Sequence, residues 1–173
     1  MTILLTAEHS QSILQYAEQA YPEECCGLLL GIHQSVDGAE VNIVQEVYAT
    51  SNVWNHTLSD LEQSDDSVAT AHRRYRIDPI AMLQAQQYAR AKALDIIGIY
   101  HSHPDGLAVP SEWDRAWAWT QYSYAIVSLK DGVAKDLKSW SLNSDNEFLA
   151  EKLIITDMHT SQVLTHIKDG QDR

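Results

Sequence analysis

The stretch "IIGIYHSHPDGLAVPSEWD", residues 96–114, constrains this chain more than any other. Its apolar run at 96–100 reads as a buried strand. Side chains two apart on a strand share a face, so His101 and His103 can aim two imidazoles at one point. Pro104 ends the strand and "DGLAVP" turns the chain. Ser111 then starts a helix with Asp114 in its first turn, from which the carboxylate can swing back towards both histidines.

The surrounding segments set the fold class. "AEHSQSILQYAEQAY" (7–21) spaces Ile13, Leu14, Ala17 and Ala20 as an amphipathic helix, stopped by Pro22. "CCGLLLGI" (25–32) and "EVNIVQEVYAT" (40–50) read as strands. Pro79 opens a helix that leads into the strand at 96–100, and a helix from about Ser111 to Tyr122 follows the histidines. Further strands are expected at 124–129 and 137–142. This mixture predicts an α/β fold, a mixed central sheet flanked by helices, in one domain. Residues 51–72 carry four acids and no Lys or Arg, and read as a polar inserted loop. Trp54 within it is the aromatic to suspect of touching a partner, whereas Trp113 and Trp117, four apart, are expected to pack against the sheet. The domain is expected over 1–156, with a polar tail over 157–173.

Charge excludes more than it proves. A net charge of −12 argues against a nucleic-acid partner, and "RRYR" at 73–76 is too short a basic cluster to reverse that. No apolar run approaches a membrane span, and the N-terminus has neither a basic start nor a cleavage site, so a cytoplasmic location is expected. Cys25 and Cys26 are adjacent and read as small buried strand residues. His9, His33, His56, His72, His159 and His166 lack partners at ligand spacing and are expected at the surface.

Each piece of the 96–114 stretch has a bland reading as well. A lone HxH in an apolar strand is more often structural, and "SEWD" is also a plain capping box. As a unit, two histidines and one carboxylate match an open zinc site that leaves its fourth position to water.

HxH-P-x6-SxxD, preceded by "YPEECCGLLLG", resembles the JAMM (MPN-plus) metalloprotease family, small bacterial type. "RYRIDP", "IIGIYHSHPDG" and "YAIVSL" extend the resemblance from about Tyr21 to Leu142. It implies an MPN-like, cytidine-deaminase-like domain holding one Zn2+ per chain on His101, His103 and Asp114. It also implies Glu24, rather than Glu23, as catalytic acid and base, and Ser111 as the donor to the oxyanion. The partner implied is a ubiquitin-like sulfur carrier ending in Gly-Gly, cut after the second glycine. Its tail is expected to pair with strand edges beside the site. Two rivals are a RadC-like DNA-associated protein, which the charge opposes, and a non-catalytic MPN scaffold, which the intact ligand set opposes. An HxH amidohydrolase would need a longer chain.

Overall fold

The protein is described from a computed structural model covering residues 1–36, 38–54 and 73–157. The elements run β1 (Thr2–Thr6), α1 (Ala7–Ala20), β2 (Cys26–Val36), β3 (Ala39–Thr50), α2 (Pro79–Ala91), β4 (Asp95–His103), α3 (Glu112–Trp117), β5 (Ser123–Lys130), β6 (Val133–Leu142) and β7 (Phe148–Thr156). The strands lie in the order β1-β3-β2-β4-β5-β6-β7, and β7 pairs back onto β1 to close a barrel. The sheet is mixed as expected: β1 runs parallel to β3 and β7, β4 runs parallel to β5, and the other pairs are antiparallel.

The sheet is not an open layer sandwiched between helices but a closed one, with one helix packed against each face. It curls until β1, β3, β4, β5, β6 and β7 all touch α1, while α2 rests on β2 and β4. Bulges interrupt the β2–β3, β2–β4 and β5–β6 pairings, and each one sharpens the local twist that lets a sheet curl and close. The closing strands β1 and β7 carry no strong sequence signal. The helix expected to reach Tyr122 stops at Trp117, because Ala118 is extended. No helix among the described residues is long and apolar enough to cross a membrane. Residues 55–72 of the expected loop and 158–173 of the expected tail lie outside the described residues.

Two apolar clusters hold the sheet, one on each face. On one face Ile13 and Ala17 of α1 pack with Ile3, Leu5, Leu29, Val44, Ile97, Tyr100, Ala125 and Val127. On the other, Ala85 and Ala89 of α2 pack with Leu28, Leu30 and Leu94. β2 supplies both faces by strict alternation, Leu29 to α1 and Leu28 and Leu30 to α2. Gly27 is needed where it stands, because a Cβ there would lie 2.4 Å from the Tyr100 ring.

β4 breaks the alternation, and the break decides where the histidines point. Ile97 and Tyr100 both join the α1-side cluster although they are three apart. The β2–β4 register explains it: Leu29 pairs with Gly98 and Leu30 with Ile96, so Ile97 is an extra, bulged residue. Past the bulge the parity is reversed. Ile99 packs on the α2 side, and His101 and His103 follow it there.

Candidate metal centre

The histidine pair closes β4 at the place where β2 begins, Cys26 being paired with His101. Glu24 precedes Cys26, Leu28 and Leu30 in the same alternation, which directs it to the face used by His101 and His103. It is buried, at 4% exposure, whereas Glu23 is exposed. The third member arrives from α3. Ser111 is its N-cap, with a capping box that holds Asp114 in the first turn, so the bland reading of "SEWD" is also present.

The geometry is tight. The Nε2 atoms of His101 and His103 stand 3.0 Å apart. Asp114 places Oδ1 3.3 Å from His101 Nε2 and Oδ2 3.5 Å from His103 Nε2. A tetrahedral zinc site with bonds of about 2.0–2.1 Å has ligand-to-ligand spacings of about 3.3 Å. Two imidazole nitrogens and a carboxylate therefore converge at the spacing such an ion requires, and these residues could hold a metal ion.

The groups behind the cluster hold it in the state a cation needs. His103 Nδ1 donates to the Leu107 carbonyl at 2.8 Å, which leaves Nε2 as the acceptor facing the cluster. Asp114 Oδ2 accepts from the Ser111 backbone N–H at 2.6 Å and from the Ser111 hydroxyl at 2.7 Å. The Ser111 hydroxyl in turn accepts from the Asp114 N–H at 3.1 Å. Its single proton is thus already given to Asp114, so donating to an oxyanion requires the hydroxyl to turn away.

Electrostatics separate the two carboxyl groups. Burial pushes Asp114 up, but the His101 and His103 imidazoles and the Ser111 amide more than offset this, holding it far below the usual carboxylate range. Among the described residues Glu24 has no such set of donors. Burial raises it to about 8, with Asp114 adding to the rise and His103 and Arg74 opposing it. Burial pulls His101 down, against Asp114, which keeps the imidazole neutral as ligation needs. His103 feels the same burial, but the neighbouring Asp114 and Glu24 leave it above its ordinary value.

Other sequence expectations fare unevenly. Cys25 and Cys26 are buried free thiols, and burial lifts them to about 11 and about 12. Trp54 is not a surface aromatic: it is 6% exposed, edge-on to Trp113 at 5.1 Å. The Arg74 guanidinium lies over Trp113 at 4.2 Å and over Trp54 at 5.6 Å, which draws Trp54 inward. Trp117 does not pack against the sheet; it is 66% exposed beside Trp113. His33 is exposed as expected, while His9 is half-buried in the capping box of α1. His56, His72, His159 and His166 lie outside the described residues. At His101 β4 is paired on both sides, with Cys26 of β2 and Ile126 of β5, so a tail cannot add to β4 at that residue; the β2 pairing ends there, and His103 is paired with Ser128 of β5.

Two participants were not foreseen, both near "RYRIDP". Tyr75 stacks on His101, with ring centroids 4.5 Å apart and planes 26° apart. Asn52 ties its neighbourhood together through four hydrogen bonds, described below. An aromatic and a lone Asn in short irregular segments carry no periodic signal, and only the folded chain brings them to the site.

Known proteins show the same pattern of similarity. The family described as "Prokaryotic homologs of the JAB domain" matches residues 6–143. A protein named "Desampylase" from Haloferax volcanii is 30% identical over 129 residues, covering 72% of this chain and 78% of that protein. A "Probable TtuB-protein conjugate cleaving protease" from Thermus thermophilus is 41% identical over 59 residues, 34% of this chain and 39% of that one. A solution structure of a protein from Desulfitobacterium hafniense superposes with a TM-score of 0.71 at 27% identity, covering 91% of this chain and 94% of that one. With His101, His103 and Asp114 grouped where they could hold a metal ion on a closed mixed sheet, and a family match across most of its length, the chain belongs to the prokaryotic homologs of the JAB domain.

Proposed function

We propose that the chain is a zinc-dependent isopeptidase that cleaves after the C-terminal Gly-Gly of a ubiquitin-like protein of the sulfur-carrier type. The observation that carries the reading is the convergence of His101, His103 and Asp114 at 3.0–3.5 Å beside a buried carboxyl group. The names of the relatives in Haloferax and Thermus, which speak of conjugate cleavage in one and desampylation in the other, support the substrate class.

In this reading His101, His103 and Asp114 hold one zinc ion. When bound, zinc supplies Lewis acidity and makes hydroxide available near neutral pH. Glu24 takes a proton from the attacking water and returns it to the leaving amine as the C–N bond breaks. Its pKa of about 8 before any ion is present lies close to the pH at which it must do both. Ser111 releases Asp114 and donates to the oxyanion of the tetrahedral intermediate. The catalytic domain is taken over 1–156, with the polar 51–72 segment as an insertion in its sequence, and 157–173 follow it. A cytoplasmic setting suits two buried thiols that are not joined in a disulfide.

With the edge of β4 closed at His101, the diglycine tail runs between the 104–111 turn and the 73–77 segment. Glycines suit that passage because they lack side chains. The test is to incubate zinc-loaded protein with a Gly-Gly-tailed carrier bearing a C-terminal extension and read products by intact mass. Cleavage after the second glycine, with unstructured peptides left largely intact, is the expected result. Equal cutting of generic peptides replaces this reading with that of a broad peptidase.

A further inference from the structure

The two histidines are held differently. His103 has the usual outer hydrogen bond, from Nδ1 to the Leu107 carbonyl at 2.8 Å. His101, at 0% exposure, has none: its Nδ1 is buried and finds no hydrogen-bond partner among the described residues. A metal-ligating imidazole almost always donates through its second nitrogen, and that bond sets the ring's tautomer and orientation. What His101 has in its place is the face of Tyr75, nearly parallel at 26° and 4.5 Å between centroids.

Tyr75 lies in a short irregular segment, and Asn52 explains why that segment stays in place. The Asn52 amide nitrogen donates to the Glu24 carbonyl at 3.0 Å and the Arg74 carbonyl at 3.0 Å. Its side-chain oxygen accepts from the Trp54 N–H at 3.0 Å and the Arg76 N–H at 3.1 Å. Both donors and both lone pairs are used, which fixes the amide's orientation without ambiguity. The Val53 N–H adds a bond to the Arg76 carbonyl at 3.0 Å, and Asn52 bridges to Ile77. One side chain thus joins the segment leading into β2, the segment leaving β3 and both neighbours of Tyr75.

We propose that Tyr75 is a positioning residue for His101, its ring face replacing the absent outer hydrogen bond, and that Asn52 pins the strap that carries it. The inference rests on reading the cluster as a zinc site. It concerns the ring of Tyr75 and not its hydroxyl, which distinguishes the two conservative variants. Tyr75→Phe keeps the stack; Tyr75→Leu keeps much of the bulk and loses the aromatic face. Asn52→Ala leaves Tyr75 intact and frees its strap.

Zinc affinity is measured by competition with a chromophoric chelator, and ligand geometry by the visible spectrum of the cobalt(II)-substituted protein. Tyr75→Leu is expected to weaken zinc binding about 10–100-fold, the usual cost of losing an outer partner, and to alter the cobalt bands. Tyr75→Phe is expected to match the wild type in both. Asn52→Ala should shift both in the direction of Tyr75→Leu, and the double variant should add little to Tyr75→Leu alone. Wild-type affinity and spectrum in Tyr75→Leu overturn the proposal, as does a Tyr75→Phe protein as weak as Tyr75→Leu. If Tyr75→Leu does not fold, Asn52→Ala with an unchanged spectrum and affinity overturns it. A wild-type chain that binds no zinc overturns the underlying metal reading instead, and the two failures are told apart.

Discussion

Among the described residues, two buried polar clusters centred on carboxyl groups are built to opposite ends. One sits where β5 starts. Glu151 Oε1 accepts from Ser123 at 3.0 Å and Oε2 accepts from Ser139 at 2.6 Å. Asn42 donates to Ser123 at 2.8 Å and meets His33 Nδ1 at 2.6 Å through its carbonyl oxygen. Every acceptor there has a donor within the chain, so the network closes on itself. The other cluster sits where β4 ends. There two imidazole nitrogens face each other at 3.0 Å, a carboxylate stands beyond, and a buried carboxyl group is pushed up to about 8 by burial. A buried network supplied with its own donors is structural, because satisfied polar groups stiffen a core. One whose lone pairs converge without enough protons between them could hold a cation.

The most severe way to break this contrast is to remove a converging ligand. His101→Ala or Asp114→Ala is expected to abolish the one-to-one zinc stoichiometry and the activity with it, as read by metal analysis after gel filtration. Glu151→Gln should leave zinc content untouched; if it did not, the two clusters would not be independent.

Glu24→Gln should spare the metal and lower kcat by roughly 10²–10⁴-fold, the range typical of a lost general acid–base. Glu23→Gln is the control and should change kcat little, because that side chain points to solvent. An essential Glu23 would refute the alternation that sends Glu24 to the histidine face.

Ser111→Ala sharpens a narrower point. Losing the cap costs about 1 kcal/mol of stability, and losing an oxyanion donor costs roughly 10²–10³-fold in kcat. A fall in kcat with a melting temperature lowered only by the cap assigns Ser111 to chemistry. A lowered melting temperature with kcat unchanged leaves it as the residue that holds Asp114.

The smallest effect expected is one of pH on the closed network. Burial raises Glu151 above its ordinary 4.5, against the pull of Ser139 and Ser123. A carboxyl group raised on folding adds stability that is fully present below pH 4.5 and is lost as pH rises through the folded value. Glu151→Gln, which stays neutral, should therefore gain on the wild type as pH rises, in urea melts at a series of pH values. A difference that does not change with pH would mean that folding does not raise Glu151 above its ordinary value.

Much of the open cluster was legible because its logic is local. The two-residue period of a strand sets the histidine pair, and a capping box three residues long places Asp114 on the turn that faces it. The choice of Glu24 over Glu23 came by resemblance, and its physical basis is not local. It depends on a bulge at Ile97, which turns the histidines to the same face as Glu24, and nothing in "IIGIY" marks that residue as the extra one. Trp54 was misread for a similar reason. Its polar neighbours in the chain suggest solvent, but it is buried, edge-on to Trp113 with the Arg74 guanidinium over its ring.

By itself, then, the sequence determined how His101 and His103 share one strand face and how Asp114 comes to lie in the first turn of the next helix, because spacing along a regular backbone is a local property. Tertiary structure alone decided that the sheet closes through β1 and β7, that parity reverses in β4, and that Tyr75 stacks on His101 while Asn52 bonds both neighbours of Tyr75. Each of these joins residues far apart in the chain, through pairings whose partners are chosen only when the whole barrel is packed.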